Sequence, residues 1–330
     1  MKIFADFHHE GLFHSLELLF EERLGYELFK PVGLEWFNEG FWKIAGVYGD
    51  NLGTVGQYLG LKGAEPDNNG IYHLDGAKGI TLDKFKEMEI DIIIASIPQH
   101  LVSFSELIKK YKPRAKLIFQ MGNEFGLIDF SLAKNLMSST APFPVPSGVN
   151  AVFYHQEFDV GVFKYESPNE SKYLRSFVHL LSTAPHFQND WFDFLALEKE
   201  LPEYKFEALG AGCRDGCIQG EQKIAELMRE SLFGINFKAG GDGMGHIAHN
   251  WFACGRPPII KMSQYKGKLA GELMIDGQTC LDFENGGLAR TVERIKKLSP
   301  EEHERICQKA YNIFKERVNF DEEEKKIRKF

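Results

Sequence analysis

The run Asp91-Ile-Ile-Ile-Ala-Ser96 sets the tightest limit on how this chain can fold. Its apolar residues leave no polar face, so a strand there must be covered on both sides. Such a sheet needs helices alternating with strands, and the flanking segments supply them. Lys2–Asp6 reads as a short apolar strand. Gly11–Leu24 places Leu12, Leu16, Leu19, Phe20 and Leu24 at helical spacing, Gly25 ends it, and Tyr26–Pro31 reads as the next strand. A helix at Ser103–Tyr111 and a strand at Lys116–Gln120 follow the run. This order predicts an α/β fold with a doubly wound sheet.

A second alternating series follows the prolines of Pro142–Ser147, a strand at Ala151–Phe158 and the break Ser167-Pro168-Asn169. Strands are expected at Leu174–Ser182, Tyr204–Leu209, Phe233–Phe237 and Pro258–Lys261, with helices at Trp191–Leu201, Glu221–Glu230 and His246–Cys254. Ser299–Arg317 reads as a long polar helix with Ser299 as N-cap and Pro300 at the first helical position. The organisation expected is an N-terminal domain over 1–165, a second domain over 166–300, and a helical segment over 301–330 returning toward the first. Residues 32–80, rich in glycine, asparagine and aromatics such as Trp36 and Trp42, read as an irregular insertion.

Composition narrows the function classes. Hydrophobic residues make up 43% of 330, which suits two globular domains. The balance of 39 basic against 47 acidic side chains excludes a broadly basic nucleic-acid sheath. No apolar run approaches the ~18 residues of a membrane span. The five cysteines are an odd number, and reduced thiols in a cytoplasmic protein are expected. The opening carries Asp6 and no long apolar stretch, which argues against a secretory signal.

The strongest chemical signal is Asn236-Phe-Lys-Ala-Gly-Gly-Asp-Gly-Met-Gly-His246, between an expected strand and an expected helix. Glycines at 240, 241, 243 and 245 let backbone approach a ligand, and the following helix N-terminus favours an anion. Lys238 adds a positive charge. The pattern predicts a phosphate or diphosphate site, without the Gly-Lys-Ser/Thr of a P-loop.

Asp242-Gly-Met-Gly245 followed by Asn250-Trp-Phe-Ala-Cys-Gly-Arg-Pro257 resembles the donor-site signature of GT-B-fold glycosyltransferases. The likeness continues in Gly271-Glu272, in Ile275-Asp-Gly-Gln-Thr279, upstream over Phe194–Gly212, and in the opening Gly11 to Leu28. It implies two Rossmann-like domains facing a central cleft and a hexosyltransferase using a UDP- or GDP-sugar as co-substrate. No tightly bound cofactor and no metal ion are implied. The donor-binding residues it implies are Lys238, Gly241, Asp242, Gly243, Met244, Gly245, His246, Asn250 and Glu272. Where retaining members carry two glutamates, this chain has Asp242 and Asn250, so retention or inversion stays open.

Phe7-His-His-Glu-Gly-Leu-Phe-His14 follows the first strand, at the carboxyl edge where such sheets bind ligands. An acceptor hydroxyl needs a base or hydrogen-bond partner as it attacks. His14 and His9 are the leading candidates, with Asp6, His8 and Glu10 behind them and His100 and Glu124 at the same edge. A metal held by His8, His9, Glu10 and His14 is disfavoured by their spacing. A glycan acceptor stands ahead of a hydroxymethylated DNA base, because residues 1–52 hold four basic and nine acidic side chains. A nucleotide-sugar epimerase and a non-catalytic sugar- or nucleotide-binding module are the alternatives.

Overall fold

The computed structural model describes residues 1–6, 10–39, 65–74, 77–121, 128–140, 142–240 and 246–330. It divides into two compact units. Unit 1 is Met1–Glu157 with Phe320–Phe330, and unit 2 is Phe158–Asn319.

Unit 1 opens with β1 (Lys2–Ala5), α1 (Glu10–Glu17, prolonged by π-helical turns over Leu18–Arg23) and β2 (Glu27–Pro31). A short hairpin of β3 (Tyr72–Leu74) and β4 (Ala77–Ile80) precedes α2 (Leu82–Glu87). Then come β5 (Ile92–Ala95), α3 (Pro98–Tyr111), β6 (Lys116–Met121), β7 (Asn135–Ser138) and β8 (Asn150–Phe153). The sheet order is β3-β4-β2-β1-β5-β6-β7-β8, parallel except at β3–β4.

The run at 92–95 behaves as its composition dictates. Ile93 and Ala95 join one buried cluster with Phe85 and Phe104 of α2 and α3. Ile92 and Ile94 join the opposite cluster with Leu12, Leu16 and Phe20 of the first helix. Alternation with helices on both faces is the doubly wound arrangement.

Trp36 belongs to the core. It is fully buried, its ring lies 5.0 Å from Phe4, and its indole N–H donates to the Ile80 carbonyl at 3.2 Å. The aromatics at 41, 42, 48 and 58 lie outside the described residues. The last strand is shorter than expected: past Phe153, the His155 backbone N–H turns to the Glu323 carboxylate at 2.9 Å.

Unit 2 runs β9 (Tyr173–Ser176), α4 (Gln188–Glu200), β10 (Lys205–Ala208), α5 (Glu221–Arg229), β11 (Phe233–Ile235), α6 (His246–Ala253), β12 (Pro258–Ile260), β13 (Leu281–Asp282), α7 (Gly287–Lys296) and α8 (Pro300–Arg317). Its sheet is parallel throughout, in the order β10-β9-β11-β12-β13. β9 stops at Ser176 because the chain turns at Leu180, whose φ is +59°. Ser299 caps α8 by accepting from the Glu302 N–H at 3.1 Å, and α8 packs against α6. A final helix, α9 (Phe320–Ile327), buries Ile327 in the core of unit 1.

Candidate functional site

In unit 2 the loops after β9, β10 and β11 converge at the carboxyl edge of the sheet. A Cβ on Gly210 would stand 3.2 Å from the His179 Cα, and the Leu180 N–H donates to the Ala211 carbonyl at 2.8 Å. Lys238 follows β11 and is half-buried. Desolvation, and then the Lys238 charge, hold the His179 imidazole below its ordinary value. The positive charge of Lys238 therefore lies near His179 at the carboxyl edge of the sheet.

The segment after β11 is held side chain by side chain. The Asn236 amide donates to the Tyr265 hydroxyl at 2.6 Å, which donates back to the Asn236 carbonyl at 3.2 Å. The Lys238 and Ala239 backbone N–H groups donate to Gln264 Oε1 at 2.8 Å and Asp190 Oδ2 at 2.6 Å. The Lys268 ammonium reaches the Gly240 carbonyl. Gly240 itself has φ +80°, a conformation that favours glycine. Gly241, Asp242, Gly243, Met244 and Gly245 lie outside the described residues.

Beyond them α6 begins at His246, which is partly buried. Asn250, one turn on, is 5% exposed, and its Oδ1 accepts no hydrogen bond among the described residues. A buried amide oxygen left in this way is costly without a ligand or water to satisfy it.

Beside this segment lies a cavity of about 520 Å³ lined by Tyr265, Lys266, Lys268, Gly271, Glu272 and Met274, among others. Glu272 is exposed on the short helical turn Leu269–Leu273 and makes no ion pair among the described residues. Gly271 is required there, since a Cβ would stand 2.2 Å from the Tyr265 carbonyl oxygen. Ile275–Thr279 has structural work. Thr279 Oγ1 accepts from the Ile275 N–H at 2.8 Å, and Asp276 pairs with Arg294 at 2.6 Å.

In unit 1, Asp6 is buried and accepts from the Ser96 N–H at 2.9 Å and from the Ser96 hydroxyl. Its second partner is His100, with Nδ1 at 2.6 Å. A carboxylate can only accept, so Nδ1 carries the hydrogen and, in the neutral ring, Nε2 is the basic nitrogen. The structure thus joins Asp6 to His100 and Ser96. His14 lies on α1, partly exposed, with Glu17 3.5 Å from its ring. His9 lies outside the described residues. Ser96, Asp190, Gln264 and Lys268 were not singled out by the sequence, because each acts on residues 26 to 90 positions away.

Among the described residues no group of His, Cys, Asp or Glu is arranged to hold a metal ion, and no helix is long and apolar enough to cross a membrane.

No family model matches the chain, and no curated protein matches it by sequence. Solved structures do. HepE of Anabaena, in complex with UDP and glucose, has a TM-score of 0.65 at 12% identity, over 100% of this chain and 98% of that one. The pneumococcal O-GlcNAc transferase GtfA, in complex with UDP and GlcNAc, has a TM-score of 0.63 at 10% identity, over 100% and 98%. A glycosyltransferase from Rickettsia africae has a TM-score of 0.63 at 11% identity, over 99% and 97%. The chain therefore has the GT-B fold, two Rossmann-like domains that it shares with these glycosyltransferases.

Proposed function

We propose that this chain is a glycosyltransferase that moves a hexosyl group from a UDP- or GDP-sugar to an acceptor hydroxyl. The observation that carries the reading is the juxtaposition in unit 2 of Lys238 and Gly240, through Lys268, with the cavity bearing Glu272. Its support is the GT-B fold, in which HepE and GtfA hold UDP.

In this reading Lys238 and the backbone of Gly241, Asp242, Gly243, Met244 and Gly245 meet the diphosphate, helped by the positive end of α6. His246 and Asn250 face the nucleoside or sugar, and Glu272 accepts from sugar or ribose hydroxyls. The leaving diphosphate is stabilised by these groups without a divalent ion. On the acceptor side His14 and His9 are the proposed bases. Asp6 acts one step back, holding His100 in one tautomer, which adds His100 to the candidates. The proposed acceptor is a bacterial glycan ahead of a hydroxymethylated DNA base, and the proposed location is the cytoplasm.

The test is incubation with a panel of nucleotide sugars. UDP or GDP should be released only when an acceptor is added. Isomerised donor without acceptor would point to an epimerase, and binding without turnover of any donor–acceptor pair to a binding module.

A further inference from the structure

Asp190 stands in the first turn of α4 and is 2% exposed, yet its carboxylate serves other loops. It accepts from the Ala239 N–H at 2.6 Å, from Lys261 Nζ at 2.6 Å and from Gln264 Nε2 at 3.1 Å. Gln264 turns its carbonyl oxygen the other way, onto the Lys238 N–H at 2.8 Å. Two consecutive backbone N–H groups therefore end on one side-chain relay instead of on a neighbouring strand. Lys261 closes the relay through a second carboxylate, Asp193 Oδ2, at 2.6 Å. Burial alone would depress the Lys261 ammonium, but Asp190 and Asp193 outweigh it and raise the ammonium above the ordinary lysine value.

A buried ion pair is a poor way to fill space, since well-packed apolar groups of the same volume are often at least as stabilising. What charge adds here is direction. A carboxylate fixed by an ammonium and an amide presents its remaining lone pair to one backbone N–H at one angle. That N–H belongs to Ala239, immediately before the glycine-rich segment.

We propose that Asp190, Gln264 and Lys261 are positioning residues for donor binding: a charged relay that sets the backbone of Lys238 and Ala239 before a nucleotide arrives. The proposal rests on the donor-site reading given above. Preset amides and a preset Lys238 spare the ligand the ordering of this limb, so the relay acts on nucleotide affinity rather than on the overall fold.

The test uses the full chain with UDP as probe and the variants Asp190→Ala and Gln264→Leu. The second removes only the amide relay and leaves the Lys261 ion pairs in place. Amide exchange at Lys238 and Ala239, read by NMR, should accelerate about tenfold or more in both variants. UDP affinity should fall about tenfold in each, and the double variant should fall little further than the weaker single one, as members of one relay do. Lower melting temperatures with unchanged UDP affinity would make the network merely structural and overturn the proposal, as would unchanged exchange at both amides. A wild-type chain that binds neither UDP nor any UDP- or GDP-sugar would overturn the donor-site reading and the proposal with it. That result is distinct from wild-type binding that neither variant weakens.

Discussion

Gly234→Ala is the sharpest test of how the donor side is built. Gly234 lies in β11, and the indole of Trp251 on α6 rests against it. A methyl at 234 would stand 2.4 Å from Trp251 Cε2 and 2.6 Å from Cδ2. Ordinary carbon contacts are ~3.5–4.0 Å, so the ring must retreat by about 1 Å. Trp251 is fully buried, with the Phe177 ring 5.5 Å away, so relief of the clash is expected to displace α6 as well as the ring. Overpacking a core costs ~1–3 kcal/mol, and a clash with three atoms of a buried indole, Nε1 at 2.8 Å among them, belongs at the upper end. At ~2–4 °C per kcal/mol for a unit of this size, the melting temperature should fall by roughly 6–12 °C. α6 also carries Asn250, so a shift of ~1 Å should weaken UDP binding or turnover by as much as a hundredfold. Differential scanning calorimetry and UDP titration read the two effects. Gly240→Ala is the control: its Cβ would meet nothing within 4 Å among the described residues, leaving the strain of φ +80°, about 1–2 kcal/mol. A Gly234→Ala protein that melts within about one degree of wild type would refute the packing argument.

Four further outcomes are expected. The folded His179 imidazole resists protonation, so its contribution to stability is full above the ordinary ~6.5 and is lost as pH falls through the depressed value. A diphosphate beside Lys238 offsets that charge, so UDP should raise the His179 pKa in an NMR titration; an unmoved titration curve would place the diphosphate elsewhere. Glu272→Ala should weaken sugar-bearing donors about tenfold more than bare UDP in calorimetric titrations, while equal losses would put Glu272 at the ribose. Transfer should survive EDTA, and loss restored by manganese or magnesium would contradict charge neutralisation by Lys238 and backbone amides.

The fold was legible where burial on both faces left one choice. The isoleucines at 92–94 and the apolar stripe from Leu12 to Leu24 both meet the core as their spacing requires. The N-cap at Ser299 was equally local and equally readable. β3 and β4 fell inside the segment read as an insertion, and β7 and β13 were missed because Asn135-Leu-Met-Ser138 and Leu281-Asp282 hold too few consecutive apolar residues to read. Of the proposed donor-site residues, Lys238, Glu272 and Asn250 stood out through motif and charge. The partners that hold the site did not. Asp190 lies 49 positions from Ala239 and Ser96 lies 90 from Asp6, and pairing over such distances leaves no local pattern. His14 drew attention as part of a polar cluster, yet the buried imidazole bonded to Asp6 is His100.

The return of residues 320–330 to unit 1 has a consequence for synthesis. Arg23 meets both Glu157 and Asp321, His155 meets Glu323, and Ile327 and Phe330 are buried beside Leu19 and Phe20. Unit 2 is thus an insertion within unit 1, although it comes later in the chain. On the ribosome, domains usually mature in the order in which they emerge. Here that order is inverted: 158–319 is contiguous and can close its core while the first unit still lacks α9. The first unit spends that interval without Ile327 and Phe330 over the apolar stripe of α1. Truncation before Phe320 should therefore harm the first unit and leave the second intact.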